Sequence, residues 1–180
     1  MTTFYWQYLL AVEDVLGNIN YFGNKLISQK SVFFEKLIEH RFIADVMMYG
    51  WYIHRKEIRI LRCETDSSGY DLILDCENKY RFIQLRTSCS NSKRSYQHIN
   101  VSLIDKQNPC VIWIFYNYNN NKSDFEFRYL FWGSEIDEPT PLVIHKRKAK
   151  PLDKISGHNI SKGQFEEIPF KELFSKLFRI

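Results

Sequence analysis

Residues 70 to 88 read Tyr-Asp-Leu-Ile-Leu-Asp-Cys-Glu-Asn-Lys-Tyr-Arg-Phe-Ile-Gln-Leu-Arg-Thr-Ser. Two runs of branched and aromatic residues flank a short polar stretch, the pattern of a β-hairpin. Alternation in the second run sends Ile83 and Leu85 to one face and Phe82, Gln84 and Arg86 to the other. In the first run Leu72, Leu74 and Cys76 share a face, with Asp71, Ile73 and Asp75 opposite. The hairpin thus offers a carboxylate (Asp71), an amide (Gln84) and a guanidinium (Arg86) to one surface. The plainer account is that the outer face of a hairpin is solvated, since polar-out is what antiparallel strands normally show.

Working outward, Gly69 closes an Asp-Ser-Ser-Gly turn that leads directly to Asp71. Upstream, Ser31 is placed as the N-cap of a helix to about Tyr49, with Phe34, Ile38, Phe42, Val46 and Tyr49 as its buried stripe. Glu35 and Glu39 lie one turn apart beside that stripe. Gly50 is read as the helix end, with extended chain from Trp51 through Ile53, Ile58, Ile60 and Leu61. Phe4 to Leu16 reads as an earlier helix with Phe4, Tyr8, Ala11, Val12 and Val15 on one side.

Downstream, Thr87 to Arg94 reads as a polar loop carrying Lys93 and Arg94. Tyr96 to Lys106 reads as a crossover helix or a mixture of strand and helix, with Gln97 and His98 toward a cleft. Cys110 to Tyr118 is apolar on both faces, as a central strand is, and Phe125 to Trp132 returns beside it. Residues 145–154 gather Lys146, Arg147, Lys148, Lys150 and Lys154 against a single Asp153, either a phosphate-binding loop or a solvated one. A short C-terminal helix carries Phe170, Leu173, Phe174, Leu177 and Phe178 inward.

Composition bounds the class. At 180 residues and 44% hydrophobic, the chain is expected to form one domain with a real core. A net charge of +4 is compatible with a polyanionic partner without demanding one. Cys63, Cys76, Cys89 and Cys110 lack Cys-x-x-Cys pairing and nearby His at finger spacing, so reduced thiols in a cytoplasmic protein are expected, without structural zinc. No apolar run approaches a membrane span and no signal peptide is legible, so no membrane association is expected.

In order, a helical Glu39, eleven residues to Gly50-Trp51, a strand, Gly69-Tyr-Asp71-Leu-Ile73, a hairpin and Ile83-Gln-Leu-Arg-Thr-Ser88 resemble the PD-(D/E)XK nuclease superfamily. The chain is most similar to members whose last motif reads Gln-x-Lys. The resemblance covers about residues 31 to 88 well and the later strands loosely. It implies an α/β, restriction-endonuclease-like three-layer core, with a central mixed sheet flanked by helices, over residues 31–180 and a helical extension over 1–30.

The implied activity is metal-dependent endonucleolytic hydrolysis of DNA, with Mg²⁺ or Mn²⁺ as cofactor and, by family analogy, a homodimer. Asp71 and the carbonyl oxygen of Gln84 match the metal-binding positions, and Glu39 matches the helical glutamate that reaches the site directly or through water. Such a metal lowers the pKa of a water and polarises the phosphate. Lys93, Arg94, Lys146, Arg147, Lys148 and Lys150 would contact the nucleic-acid backbone.

Arg86 stands where the family has Lys. It can stabilise charge on the phosphate but is a poor proton acceptor. Neither Lys79 nor Lys93 is assigned the missing role. Asp75 is read as a solvated strand-end residue or a further ligand. The alternative is a catalytically degenerate nucleic-acid-binding or protein-interaction module.

Overall fold

The structure is a computed structural model and describes residues 30–62, 69–119, 121–138 and 157–180. Helix α1 (Ser31–Tyr49) leads through a π turn (Gly50–His54) to β1 (Arg59–Arg62), β2 (Leu72–Cys76) and β3 (Lys79–Cys89). A crossover holding β4 (Tyr96–Asn100) and a 3₁₀ turn (Val101–Leu103) precedes β5 (Pro109–Asn119) and β6 (Asp124–Gly133). β7 (Gly157–Ser161), β8 (Glu166–Ile168) and α2 (Phe170–Phe178) complete it. Six strands form one mixed sheet in the order β1-β2-β3-β5-β6-β8, and β4 pairs with β7 in a separate ribbon.

The hairpin forms as its sequence predicts. Glu77 and Asn78 both take positive φ, 51° and 66°, the left-handed pair that suits a tight two-residue turn between right-twisted strands. Leu72 then lies opposite Ile83 and Cys76 opposite Lys79. β3 outruns β2 by six residues: Phe82–Cys89 pairs in parallel with Pro109–Tyr116 of β5, while among the described residues no strand pairs with the other side of Gln84–Cys89.

Both faces of the sheet are covered. On one, Ile38, Phe42 and Val46 of α1 and Leu173, Phe174 and Phe178 of α2 pack on Leu72, Leu74, Ile83, Ile112 and Ile114. On the other, Ile99, Leu103, Ile160 and Phe165 pack on Val111, Trp113, Phe115 and Leu130. The sequence expectation of helices on both faces is corrected here. The β3–β5 crossover is long enough for a helix, yet Gln97, Ile99 and Leu103 bury themselves as strand and 3₁₀ turn. Tyr96–Lys106 is therefore the strand-containing mixture.

Two boundaries also move. Lys30, not Ser31, occupies the cap position of α1, because its carbonyl already accepts from the Phe34 N–H. Gly50 does not end the helical path, which continues as the π turn until Arg55 takes a left-handed conformation. Gly50 is instead a packing requirement, since a Cβ there would sit 2.7 Å from Ile58 Cγ1.

Arg81 is fully buried and held by the Ser134 carbonyl, with its guanidinium carbon 5.3 Å from the Phe131 ring centre. Among the described residues its Nε and Nη1 find no hydrogen-bond partner. Among the described residues no helix is long and apolar enough to cross a membrane. Cys76, Cys89 and Cys110 are free thiols. The helix read over 4–16 and the basic loop 145–154 lie outside the described residues.

Gly69 decides how the chain enters β2. Its φ is +78°, and a Cβ would meet the Leu103 backbone nitrogen at 2.7 Å. Gly69→Ala is expected to destabilise the protein by about 1–3 kcal/mol through backbone strain and this clash. Urea unfolding of the variant beside wild type checks it, and an unchanged midpoint would sink the account.

Candidate active site at the end of the central hairpin

Where β2 stops and β3 continues, the ladder needs a substitute acceptor. The Asp71 N–H donates to the Ile83 carbonyl at 2.8 Å, and the Leu85 N–H is taken at 2.6 Å by Asp71 Oδ2 rather than by a backbone carbonyl. Asp71 is thereby locked against the sheet edge at the point where the strands part. Burial pushes its carboxyl pKa above the ordinary value. The Leu85 hydrogen bond and Arg86 oppose that rise, whereas Glu39 and Glu35 add to it. Four of the residues that sequence reading singled out thus share one electrostatic field.

Glu39 is only 5% exposed, an unusual burial for a helical glutamate. Two cations hold it. Lys36 Nζ lies 2.8 Å from Oε2, and Arg62 of β1 reaches Oε1 at 3.2 Å. The hydrogen bond to Glu39 raises the Lys36 pKa, and Asp71 adds to the rise. Sequence reading missed both cations. Lys36 was legible as an i,i+3 partner of Glu39, but Arg62 becomes visible only when β1 is registered beside β2.

Gln84 is 4% exposed, so the expected solvated outer face is corrected: β4 and the 3₁₀ turn cover it. Its Oε1 accepts from the Asn100 N–H at 3.3 Å. Arg86 spans to β4 by a long 3.4 Å contact with the His98 carbonyl.

Beside these residues runs an open groove of about 1090 Å³. Its walls are the free end of β3, the 91–95 turn, the start of β4 and the first turns of α1. Arg86, Lys93, Arg94, Gln97 and His98 line it on one side and Ser31 and Glu35 on the other, so the expectation that Gln97 and His98 face a cleft holds. Asp71, Gln84 and Glu39 are not among its lining residues; Arg86 and Glu35 connect them to it. Thr87–Cys89, expected as loop, is the end of β3, and Ser88 is buried with its Oγ accepting from Trp113 Nε1 at 2.9 Å.

Other expectations separate from the site. Asp75 is buried, not solvated, because it pairs with Arg59 at 2.7 Å and accepts from the Asn78 N–H at the turn. Lys79 bonds the Phe178 carbonyl of α2 at 3.3 Å. His98 Nδ1 lies 3.1 Å from Asn159 Oδ1. Lys146, Arg147, Lys148 and Lys150 lie outside the described residues. Among the described residues no cluster of three or more His, Cys, Asp or Glu is arranged to hold a metal ion.

No protein-family model matches this chain, and no curated protein matches its sequence. The site's chemistry therefore rests on its own geometry.

A raised Asp71 pKa has a definite linkage sign. The folded protein keeps this proton to higher pH than the unfolded chain, whose carboxyl titrates near 3.8. Stability from this group is fullest below that value, falls as pH rises through the window up to the folded pKa, and stays reduced above it. Asp71→Asn removes the charge and keeps an oxygen for the Leu85 N–H. The variant is expected to exceed wild type in stability by about 1 kcal/mol at pH 7, with the difference vanishing below about pH 4. Denaturant titrations at the two pH values check this; a variant no more stable at pH 7 refutes it.

Proposed function

We propose that this chain is a metal-dependent phosphodiester hydrolase acting on DNA, built on a restriction-endonuclease-like form of its α/β fold. One observation carries the reading: the Asp71 carboxylate is buried at the parting of β2 and β3, and Glu39 and Glu35 further disfavour its charge. Natural chains rarely place acids against a desolvated carboxylate unless a cation is to join them. The order of helical acid, hairpin and parallel strand supports the same reading.

The residues fit a hard divalent ion. Among the described residues no hydrogen bond engages Asp71 Oδ1, and Gln84 Oε1 keeps a second lone pair beside its bond from Asn100. These two oxygens would hold the ion directly, being of the kind Mg²⁺ and Mn²⁺ prefer. Glu39, its oxygens already held by Lys36 and Arg62, acts through water. When bound, such an ion polarises the scissile phosphate and makes a neighbouring water more acidic.

The chain supplies the remaining charge. Arg86 brings a planar guanidinium that stabilises negative charge accumulating on the phosphate. Lys36, whose ammonium sits at Glu39 and feels Asp71, provides the lysine that the last motif lacks. Its raised pKa suits a charge stabiliser or proton donor rather than a base. Lys93 and Arg94 hold the backbone in the groove.

A second reading has its own support. Glu39 is already neutralised by two cations and the Gln84 carbonyl already serves the Asn100 N–H, as in a module that has lost turnover but still binds nucleic acid.

Supercoiled plasmid and single-stranded DNA, incubated with Mg²⁺, Mn²⁺ or EDTA, separate the two readings. Cleavage is expected with either metal, none with EDTA, and none for Asp71→Ala. Absence of cleavage under every condition, with salt-sensitive DNA binding retained, would replace the hydrolase by the module. Lys36→Met is expected to lower single-turnover cleavage about 100-fold, as loss of one preorganised charge donor does. It should also alter the pH–rate profile. An unchanged rate and profile would reduce Lys36 to a structural partner of Glu39.

A further inference from the structure

The groove beside Asp71 carries two aromatic rings that the proposed hydrolysis does not use. Tyr96 and His98 alternate along β4 with the buried Gln97 and Ile99, so both stand on the exposed face of the β4–β7 ribbon, and both line the groove. Tyr96 is 51% exposed. A ring left in water beside a groove offers a flat apolar face to a flat partner.

The ribbon holds these rings in place. Ile99 and Ile160 anchor it in the core, and β4 pairs with β7 from Tyr96 opposite Ser161 to Asn100 opposite Gly157. Ser161 is too small to cover the Tyr96 ring. His98 Nδ1 lies 3.1 Å from Asn159 Oδ1 across the pair. Gly157 gives the imidazole its room, since a Cβ there would collide with the His98 ring and with the Ile99 carbonyl.

The neighbouring charge suits an anion. Arg86, Lys93 and Arg94 line the same groove against one acid, Glu35. Among the described residues neither Lys93 nor Arg94 has an acidic partner. Their turn is tied down by its backbone: the Ser90 N–H donates to the Tyr116 carbonyl at 2.9 Å, the Ser92 N–H to the Cys89 carbonyl at 2.9 Å, and the Ser95 carbonyl accepts from the Lys162 N–H at 2.7 Å. Cations on a fixed backbone beside fixed rings are preorganised for a strand with phosphates on one side and flat bases on the other.

Only an unpaired strand can use both. In a duplex the bases lie on one another and present only their edges, which leaves Tyr96 and His98 nothing to stack on. In a single strand the base faces are free. Two residues of β-strand advance about 6.6 Å, close to two base steps of about 3.4 Å, so the rings are spaced to take bases in turn. At about 1090 Å³ the groove is the size of a large small-molecule pocket, room for a few nucleotides of one strand rather than for a duplex.

We infer that the groove binds single-stranded DNA, with bases stacked on Tyr96 and His98 and phosphates held by Lys93 and Arg94. The inference rests on the nucleic-acid reading of this groove proposed above, and it adds which form of DNA the site receives. A duplex then reaches Asp71 only where its strands are parted.

Fluorescence anisotropy in EDTA, where no metal-dependent cleavage occurs, tests it at one salt concentration with a labelled oligothymidylate, an abasic strand of equal length and a duplex of equal length. The wild type is expected to bind the oligothymidylate about tenfold more tightly than either of the others, the size of effect that base–aromatic stacking gives. Tyr96→Thr keeps a residue suited to a strand. It should weaken oligothymidylate binding about tenfold and leave abasic-strand and duplex binding within about twofold, while Tyr96→Trp keeps the wild-type preference. If Tyr96→Thr loses the circular dichroism of the wild type, Tyr96→Leu supplies the same comparison.

Equal affinity for duplex and single strand overturns the inference, and so does binding to none of the three. An equal loss on all three in Tyr96→Thr overturns it as well, by making Tyr96 a structural residue. The hydrolase reading fails separately: stacking-dependent binding in EDTA without cleavage in Mg²⁺ or Mn²⁺ removes the hydrolase and supports the single-strand groove.

Discussion

The hydrogen bond from the Leu85 N–H to the Asp71 carboxylate is the constraint on which the site depends. A sheet edge in a protein interior must satisfy its backbone donors. β3 has to outrun β2 to pair with β5, so one of its donors faces a place where β2 no longer provides a carbonyl. Asp71 supplies the oxygen. That choice brings a charge into a largely dry position, and the carboxylate is held there by the ladder below it, by Arg86, and by the left-handed Gly69 that steers the chain in.

The surrounding charges follow from this placement. α1 lies across the sheet and buries Glu39 within electrostatic range of Asp71, and a buried glutamate needs cations. Lys36 comes from the same helix and Arg62 from the edge strand, so helix and edge strand are joined at a single carboxylate. Arg86, Lys93 and Arg94 face the groove together with Glu35 and a hydroxyl-rich stretch of chain, while Asp71 and Glu39 lie behind its wall.

Arg81 shows how differently one strand can treat like residues. Arg86, five positions on, keeps its guanidinium at the groove, whereas Arg81 buries its own with the Ser134 carbonyl and the Phe131 ring as partners. Strand parity separates them, because odd positions of β3 face the helices. Desolvating a guanidinium with two donors unpaired is costly, and nothing in the structure explains why an apolar residue does not stand there.

Local chemistry made much of the fold legible. Period-2 alternation, a short polar stretch between two strand-like runs and an apolar stripe at helical spacing were enough to place the hairpin, α1, the central strand β5 and α2, because each is decided by neighbours within a few residues. The same alternation brought Asp71, Gln84 and Arg86 to one surface, whereas Glu39 became a candidate only through the resemblance to a nuclease superfamily. The tertiary structure alone decided what those side chains are bonded to. Gln84 is buried because the crossover returns over it, Asp75 is captured by Arg59 across a strand pairing, and Gly50 is fixed by Ile58 rather than by a helix end. Such outcomes depend on which distant segment arrives at a given face, and no short stretch of sequence encodes that.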